Sequence, residues 1–161
     1  YDTMWWQIHE MLFIEKGGRE QIEDELSAYN PLIPQGQELV ATLMFEIDEP
    51  ERRKKLLMQL GGVEEVCCLT INGETVTGES EADVDRTTAA GKASSVQFIH
   101  FNLSAKQIDM FKKPDTQVSL GINHSAYGHM AILDPKVWEC LATDFDYYYI
   151  SKSIKLDNCS N

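Results

Sequence analysis

Asn72-Gly73 stands between "VCCLTI" and "ETVTG", two β-prone runs, and this pair constrains the fold more than any other two residues of the chain. A two-residue hairpin turn whose twist matches its strands needs positive φ at its central positions, which asparagine and glycine tolerate. The pair therefore predicts antiparallel strands on either side of it. In "ELVATLMFEI", Leu39, Ala41, Leu43, Phe45 and Ile47 alternate with Val40, Thr42, Met44 and Glu46, the pattern of a half-buried strand. "SSVQFIHFNL", "QVSLGIN" and a short "MAIL" supply further strands, and "SAKQ" is a capping box that opens a helix to about Lys112. Pro50 opens a short basic helix, to about Leu60, that Gly61-Gly62 closes; Asp134-Pro135 opens a last helix carrying Val137, Trp138 and Leu141.

At the N-terminus, Met4, Trp5, Ile8, Met11 and Leu12 share one broad helical face, and Ile22, Leu26 and Tyr29 resume the same phase beyond Gly17-Gly18. The continuous phase predicts one long or gently kinked helix from about Thr3 to Tyr29; two helices broken at Gly17 are the alternative. "NPLIPQGQ" ends this stretch, because the residue before a proline is driven out of the helical region. Without the hairpin arm, the remaining order is β-α-β-β-α-β. The expected class is α+β: an antiparallel or mixed sheet covered by helices, ferredoxin-like in order, with an added hairpin and a long N-terminal helix. Hairpin strands that extend a larger mixed sheet are the alternative. One domain is expected over residues 1–146, followed by an extended C-terminal tail, 147–161, whose alternating Tyr and Ile suit an edge strand or packing on a neighbouring chain. The stretch from Gly78 to Lys92 has no periodicity and little apolar content, so mobility or a response to ligand is expected there.

The 161 residues are 43% hydrophobic, enough for one core without disulfide or metal staples. Fourteen Lys and Arg against 26 Asp and Glu leave a formal charge of -12, which repels phosphate backbones and anionic lipid. Nucleic acid and membrane are therefore not expected partners, and with no apolar run of spanning length an acidic cytoplasmic protein is expected. Cys67, Cys68, Cys140 and Cys159 match neither zinc nor thioredoxin spacing, so buried free thiols are the plain reading of them.

Asp2-Thr3, then Gln7-Ile8, Glu10-Met11 and Glu15, then Tyr29-Asn30 and Pro34, then "ELVATL" and "SSVQ", together resemble an uncharacterised prokaryotic family, Domain of Unknown Function 3501. The resemblance runs from about Asp2 to Phe145. It names no activity. It implies an N-terminally truncated member that lacks a basic leading segment. It also implies association with redox or oxidative-stress proteins, and so a redox-protein partner.

Two sets of residues are candidates for function. Glu15 falls on the buried stripe between Met4 and Ile8, where a carboxylate needs a cationic partner or a raised pKa; pairing with Arg19 is the plain reading. His124 and His129 flank the turn "HSAYGH" beside Tyr127 and, with Glu10 and Glu15, would make a cluster suited to zinc or iron, although no metal-binding motif marks it. A metal-dependent or acid-base enzyme built on that cluster is the rival of a non-catalytic accessory or partner-binding module. Trp6 and Phe13 lie at about 200° and 180° on the helical wheel, against about 40° for the main stripe, so one sheet cannot bury both faces. They are the expected interface of a homodimer; cover of Trp6 within one subunit, by the C-terminal tail or by the helix from Pro135 to Thr143, is the alternative.

Overall fold

The computed structural model describes residues 2–81, 87–88 and 91–146. The C-terminal tail and part of the Gly78–Lys92 stretch, for which expectations are stated above, lie outside the described residues. Five helices and seven strands occur among them: α1 (Asp2–Glu15), α2 (Gly18–Tyr29), β1 (Glu38–Met44), α3 (Pro50–Leu57), β2 (Cys67–Ile71), β3 (Glu74–Thr77), β4 (Glu79–Ser80), β5 (Val96–Asn102), α4 (Ala105–Phe111), β6 (Val118–His124), β7 (Tyr127–Ile132) and α5 (Pro135–Ala142). The class is α+β, and every strand pair is antiparallel.

The Asn72-Gly73 turn has φ of 47° and 87° at its central residues and joins β2 to β3 with Cys68 opposite Thr77. Asn72 also exchanges hydrogen bonds with Gln117: its N–H donates to the Gln117 carbonyl at 2.9 Å, and its side-chain oxygen accepts from Gln117 N–H at 2.9 Å. The turn is thereby tied to the start of β6. Ser104 and Gln107 form the expected capping box of α4. Pro50 begins α3 behind a Glu49 cap, and Asp134 caps α5.

The strands divide into two sheets, ordered β1-β5-β4 and β3-β2-β6-β7, where a ferredoxin-like arrangement would place them in one. The reason lies at Gly78. β3 and β4 are separated by this one residue, so a single run of chain leaves one sheet and enters the other. Gly78 N–H still donates to the Cys67 carbonyl at 2.8 Å, while a Cβ at this position would overlap Ile99 Cγ2 and lie 2.9 Å from Phe101 Cε1. The bend folds the sheets onto a shared core of Leu39, Ile99 and Phe101 from one side and Cys67, Leu69, Ile71 and Val118 from the other. Phe111, Trp138 and Phe145 close its end, with Trp138 Nε1–H donating to the Phe111 carbonyl at 2.7 Å.

The N-terminal stretch is two helices, which corrects the expectation of one long helix. Lys16 has φ of 54° and Gly18 of 78°, so the helical path stops between α1 and α2. Gln21 replaces the lost bonds: its side-chain oxygen accepts from Gly17 N–H at 2.6 Å, and its Nε2 donates to the Met11 carbonyl at 3.2 Å. In a straight helix Gln21 and Met11 would stand about 15 Å apart along the axis, so α2 folds back on α1. The apolar phase continues across the break because both stripes face one small cluster, Ile8 and Ile33 with Met4, Leu12, Leu26 and Tyr29 around them. Tyr29 carries this helical pair onto the outer face of β5, its ring 6.4 Å from that of Phe98.

Gly78→Ala is expected to destabilise the protein by about 1–3 kcal/mol, the usual cost of forcing a methyl into a filled core. Urea denaturation measures it. An unchanged midpoint would show that Ile99 and Phe101 yield freely.

Candidate functional site

Polar side chains and loops meet where α3, the β5 approach and the β6–β7 hairpin converge. Gly62, with φ of 80°, ends the α3 segment and starts a turn over Val63–Val66. Gly62 N–H donates to Thr87 Oγ1 at 3.1 Å, and the Thr87 hydroxyl donates in turn to Glu64 Oε1 at 2.7 Å. Glu64 is buried, and its Oε2 has no hydrogen-bond partner among the described residues. The chain around Thr87 returns on itself through Thr88 N–H to the Lys92 carbonyl at 2.9 Å, and Ala93 N–H caps the Leu57 carbonyl at 2.9 Å. A side chain at Gly61 would strike the Gly91 carbonyl oxygen, so these two segments meet backbone to backbone.

His124 approaches the same place from β6. Its Nδ1 accepts from Ala126 N–H at 3.2 Å, which leaves the ring proton on Nε2; that proton is donated to the Gly61 carbonyl at 3.2 Å. Both nitrogens are therefore engaged by backbone. Tyr127 packs edge-on against Phe45 with centroids 5.7 Å apart, and the exposed His129 ring lies 4.5 Å from Tyr127. The hairpin thus brings His124, Tyr127 and His129 together.

Glu10 and Glu15 take no part in that arrangement. Glu10 is exposed on α1, and Glu15 is exposed at its end, where Oε2 accepts from Gln21 Nε2 at 3.1 Å in place of the expected partner Arg19. Glu15 keeps the helical phase of Met4 and Ile8, but α1 ends at it, so its side chain stands in the open end of the helix beyond the buried cluster. Among the described residues no group of three or more His, Cys, Asp and Glu is placed to hold a metal ion, so the zinc or iron cluster is not assembled there. Trp6 and Phe13 are exposed on the outer face of α1.

Beside the junction, an open cleft of about 480 Å³ is lined by Phe45, Ile47, Asp48, Arg53 and Ser95, among others. One Arg53 guanidinium nitrogen donates to the Ile47 carbonyl at 2.8 Å, which fixes the cleft wall. On the outer face of the β1 sheet, His100 Nδ1 lies 3.0 Å from Glu38 Oε2, with both side chains partly buried. The expectations above contain neither this pair nor the Glu64–Thr87 link. For His100 and Glu38 a signal exists, since both fall on the polar face of alternating strands. For Glu64 and Thr87 none exists, because a loop contact 23 residues apart has no period.

Cys67 underlies the junction. Its thiol donates to the Val63 carbonyl at 3.4 Å, and burial, helped by Cys68 and Glu64, pushes its pKa up to about 11 from an ordinary 9.0. Burial also raises the Tyr29 hydroxyl, with Glu25 and Glu15 adding to the shift and Gln7 opposing it.

A family model described as "Protein of unknown function (DUF3501)" matches residues 1–145. The chain is also similar to a crystal structure of a protein of unknown function from Burkholderia pseudomallei, with a TM-score of 0.78 and 37% identity over 89% of this chain and 75% of that one. No curated protein matches the chain. No helix among the described residues is long and apolar enough to cross a membrane.

Thr87→Val, which keeps the shape and removes the hydroxyl, is expected to cost about 1–3 kcal/mol by leaving Glu64 without its donor. A double-mutant cycle with Glu64→Gln measures their coupling, and strict additivity would show that the bond contributes nothing. A second expectation concerns pH. Below about 9 the Cys67 thiol is protonated in folded and unfolded chains alike, so its contribution is fully present. Between about 9 and 11 the unfolded chain ionises first, and about 2–3 kcal/mol of stability is lost. Tyr29 adds a loss of the same sign at higher pH. Denaturation midpoints between pH 8 and about 11 should fall less steeply for Cys67→Ala than for the parent chain; equal slopes would contradict this.

Proposed function

Because the chain belongs to the DUF3501 family of proteins of unknown function, we propose that it is a non-catalytic, cytoplasmic partner-binding module that docks a second copy of itself through the outer face of α1. One observation carries this reading: Trp6 is 63% and Phe13 77% exposed on a single 14-residue helix. Large aromatics cost the most when left in water and dominate interfaces when buried. Ile14 and Trp5 widen the patch, and the Trp5 ring stacks on His9 with centroids 3.9 Å apart.

The spacing suits a second copy. Trp6 and Phe13 are seven residues apart, so they form a ridge about 10 Å long on one side of the helix. Two such helices packed antiparallel about a two-fold axis set Trp6 of each copy against Phe13 of the other. An isologous contact of this kind closes on itself and leaves no ridge exposed. Glu10 lies between Trp6 and Phe13 on the same side of α1, and Asp2 one turn before Trp6, so the contact has to leave these carboxylates in water at its rim.

Sedimentation across a concentration series tests the proposal. The parent chain is expected to dimerise, and Trp6→Ala to weaken the dimer by about 2 kcal/mol or more, roughly thirty-fold in Kd, with unchanged circular dichroism because Trp6 is exposed. A chain that stays monomeric at high concentration, or a dimer indifferent to both Trp6→Ala and Phe13→Ala, would overturn the second copy as occupant. The face would then fall to a different partner, of which the redox protein implied by the family resemblance is the first to try.

A further inference from the structure

We propose that the open cleft beside α3 binds a small zwitterion with an apolar side chain, an amino acid or a dipeptide, whose carboxylate is taken by Arg53 and whose ammonium is taken by Asp48 and Glu46. None of the lining residues belongs to α1, so this proposal and the reading of α1 stand or fall separately.

The cleft lies where β1 and β5 part. Met44 and Val96 are the last residue pair of the two strands, and one further bond, from Phe45 N–H to the Ser95 carbonyl at 2.9 Å, joins them before the chain leaves for α3 through Glu46, Ile47 and Asp48. Met44, Ile47 and Val96 give the cleft an apolar wall. Phe45 anchors that wall, since it is buried in one cluster with Leu57, Leu60 and Val63. A volume of about 480 Å³ is within the range of small-ligand sites.

Charge decides what the ligand must be. Glu46, Asp48 and Arg53 line the same cleft, yet none of the three enters an ion pair among the described residues. Arg53 is held by backbone instead. One guanidinium nitrogen donates to the Ile47 carbonyl at 2.8 Å, and its own N–H donates to the Glu49 carbonyl at 2.9 Å. A guanidinium carries its donors in a rigid planar fork, so this single side-chain bond sets the plane and leaves donors over for a carboxylate.

The two acids are not consumed by the helix either. Glu49 caps α3 with both of its oxygens, which accept from Glu51 N–H at 2.9 Å and from Arg52 N–H at 2.6 Å. Glu46 and Asp48 remain exposed beside the cleft. A plain anion would meet two carboxylates there, and a plain cation would meet the guanidinium. A molecule that carries both signs is matched at both ends, and the apolar wall adds a preference for a large apolar side chain.

Amide NMR of the full chain tests this, with leucine and leucyl-leucine as ligands. The controls are N-acetyl-leucine, which lacks the ammonium, leucinamide, which lacks the carboxylate, and glycine, which lacks the side chain. Leucine or leucyl-leucine at millimolar concentration is expected to shift the amides of Ile47, Arg53 and Ser95 saturably, and each control to bind about ten-fold more weakly through the loss of one charge-assisted bond or of the apolar contact. The tighter of the two ligands tells a free amino acid from a peptide. Arg53→Gln, which keeps a donor for the Ile47 carbonyl, is expected to weaken leucine about ten-fold and to leave leucinamide unchanged. Asp48→Asn combined with Glu46→Gln is expected to abolish the preference for leucine over N-acetyl-leucine. If either variant disturbs the fold, the ligand series on the parent chain carries the test alone. No saturable shift, shifts confined to other parts of the chain, or controls that bind as well as leucine would overturn the proposal.

Discussion

The bend at Gly78 lets two short sheets share one core, and the placement of nearly every other part follows from that sharing. A strand that stayed straight would have kept β3 and β4 in a single layer and left Ile99 and Phe101 facing water. The bend requires a residue without a side chain, because Ile99 and Phe101 fill the space a methyl would need. It also requires the backbone to stay bonded through the turn, which Gly78 N–H achieves on the Cys67 carbonyl. Cys67 is thus fastened on two sides: its carbonyl holds the bend, and its thiol reaches back to Val63 in the turn that presents Glu64. The core and the polar junction are consequently one mechanical unit.

Within that unit the polar groups are spent on structure. Thr87 uses its hydroxyl as both donor and acceptor to clamp a returning loop onto Gly62 and Glu64. His124 uses both ring nitrogens on backbone, an arrangement that fixes its tautomer and positions Gly61 against Gly91. Such paired groups rigidify a site, since each would be costly to leave unpaired at low dielectric, and Glu64 Oε2 is the buried oxygen of this junction that has no partner among the described residues. The side chains that remain free to meet another molecule are found outside: His129 at the hairpin, the walls of the cleft and the aromatic face of α1.

How much of this could be read from the residues depended on whether a feature was local. The Asn72-Gly73 turn, the Ser104 capping box and the Pro50 helix start are each decided within four residues, and each forms as expected. The break between α1 and α2 was hidden because hydrophobic phase reports which side is buried, and two helices folded on each other bury the same side as one helix packed on a sheet. Its signature was instead a polar residue, Gln21, whose buried amide supplies the bonds that the broken helix gives up. The two-sheet division was hidden for a related reason: a glycine between "ETVT" and "ES" resembles any loop glycine until Ile99 and Phe101 are known to lie beneath it. Of the candidate site, the grouping of His124, Tyr127 and His129 was legible because one hairpin carries all three, whereas Glu15 was misjudged along with the helix that carries it.

The helical pair also bears on how an interaction through α1 would behave. Among the described residues, Ile8 and Ile33 are the fully buried members of its cluster, and burying two such side chains contributes only about 3–6 kcal/mol. Ordering the backbone of α1 and α2 costs about 1–2 kcal/mol per residue, so the pair cannot hold itself together and depends on its attachment to the sheet through Tyr29 and Phe98. Covering Trp6 and Phe13 would add apolar burial of the same order as the whole cluster. Any molecule that binds this face therefore also stabilises the helix that presents it, by mass action on the ordered form. Binding at α1 and the order of α1 are then a single equilibrium, in which the Gln21 bonds to Gly17 and Met11 set how much ordering a partner still has to supply.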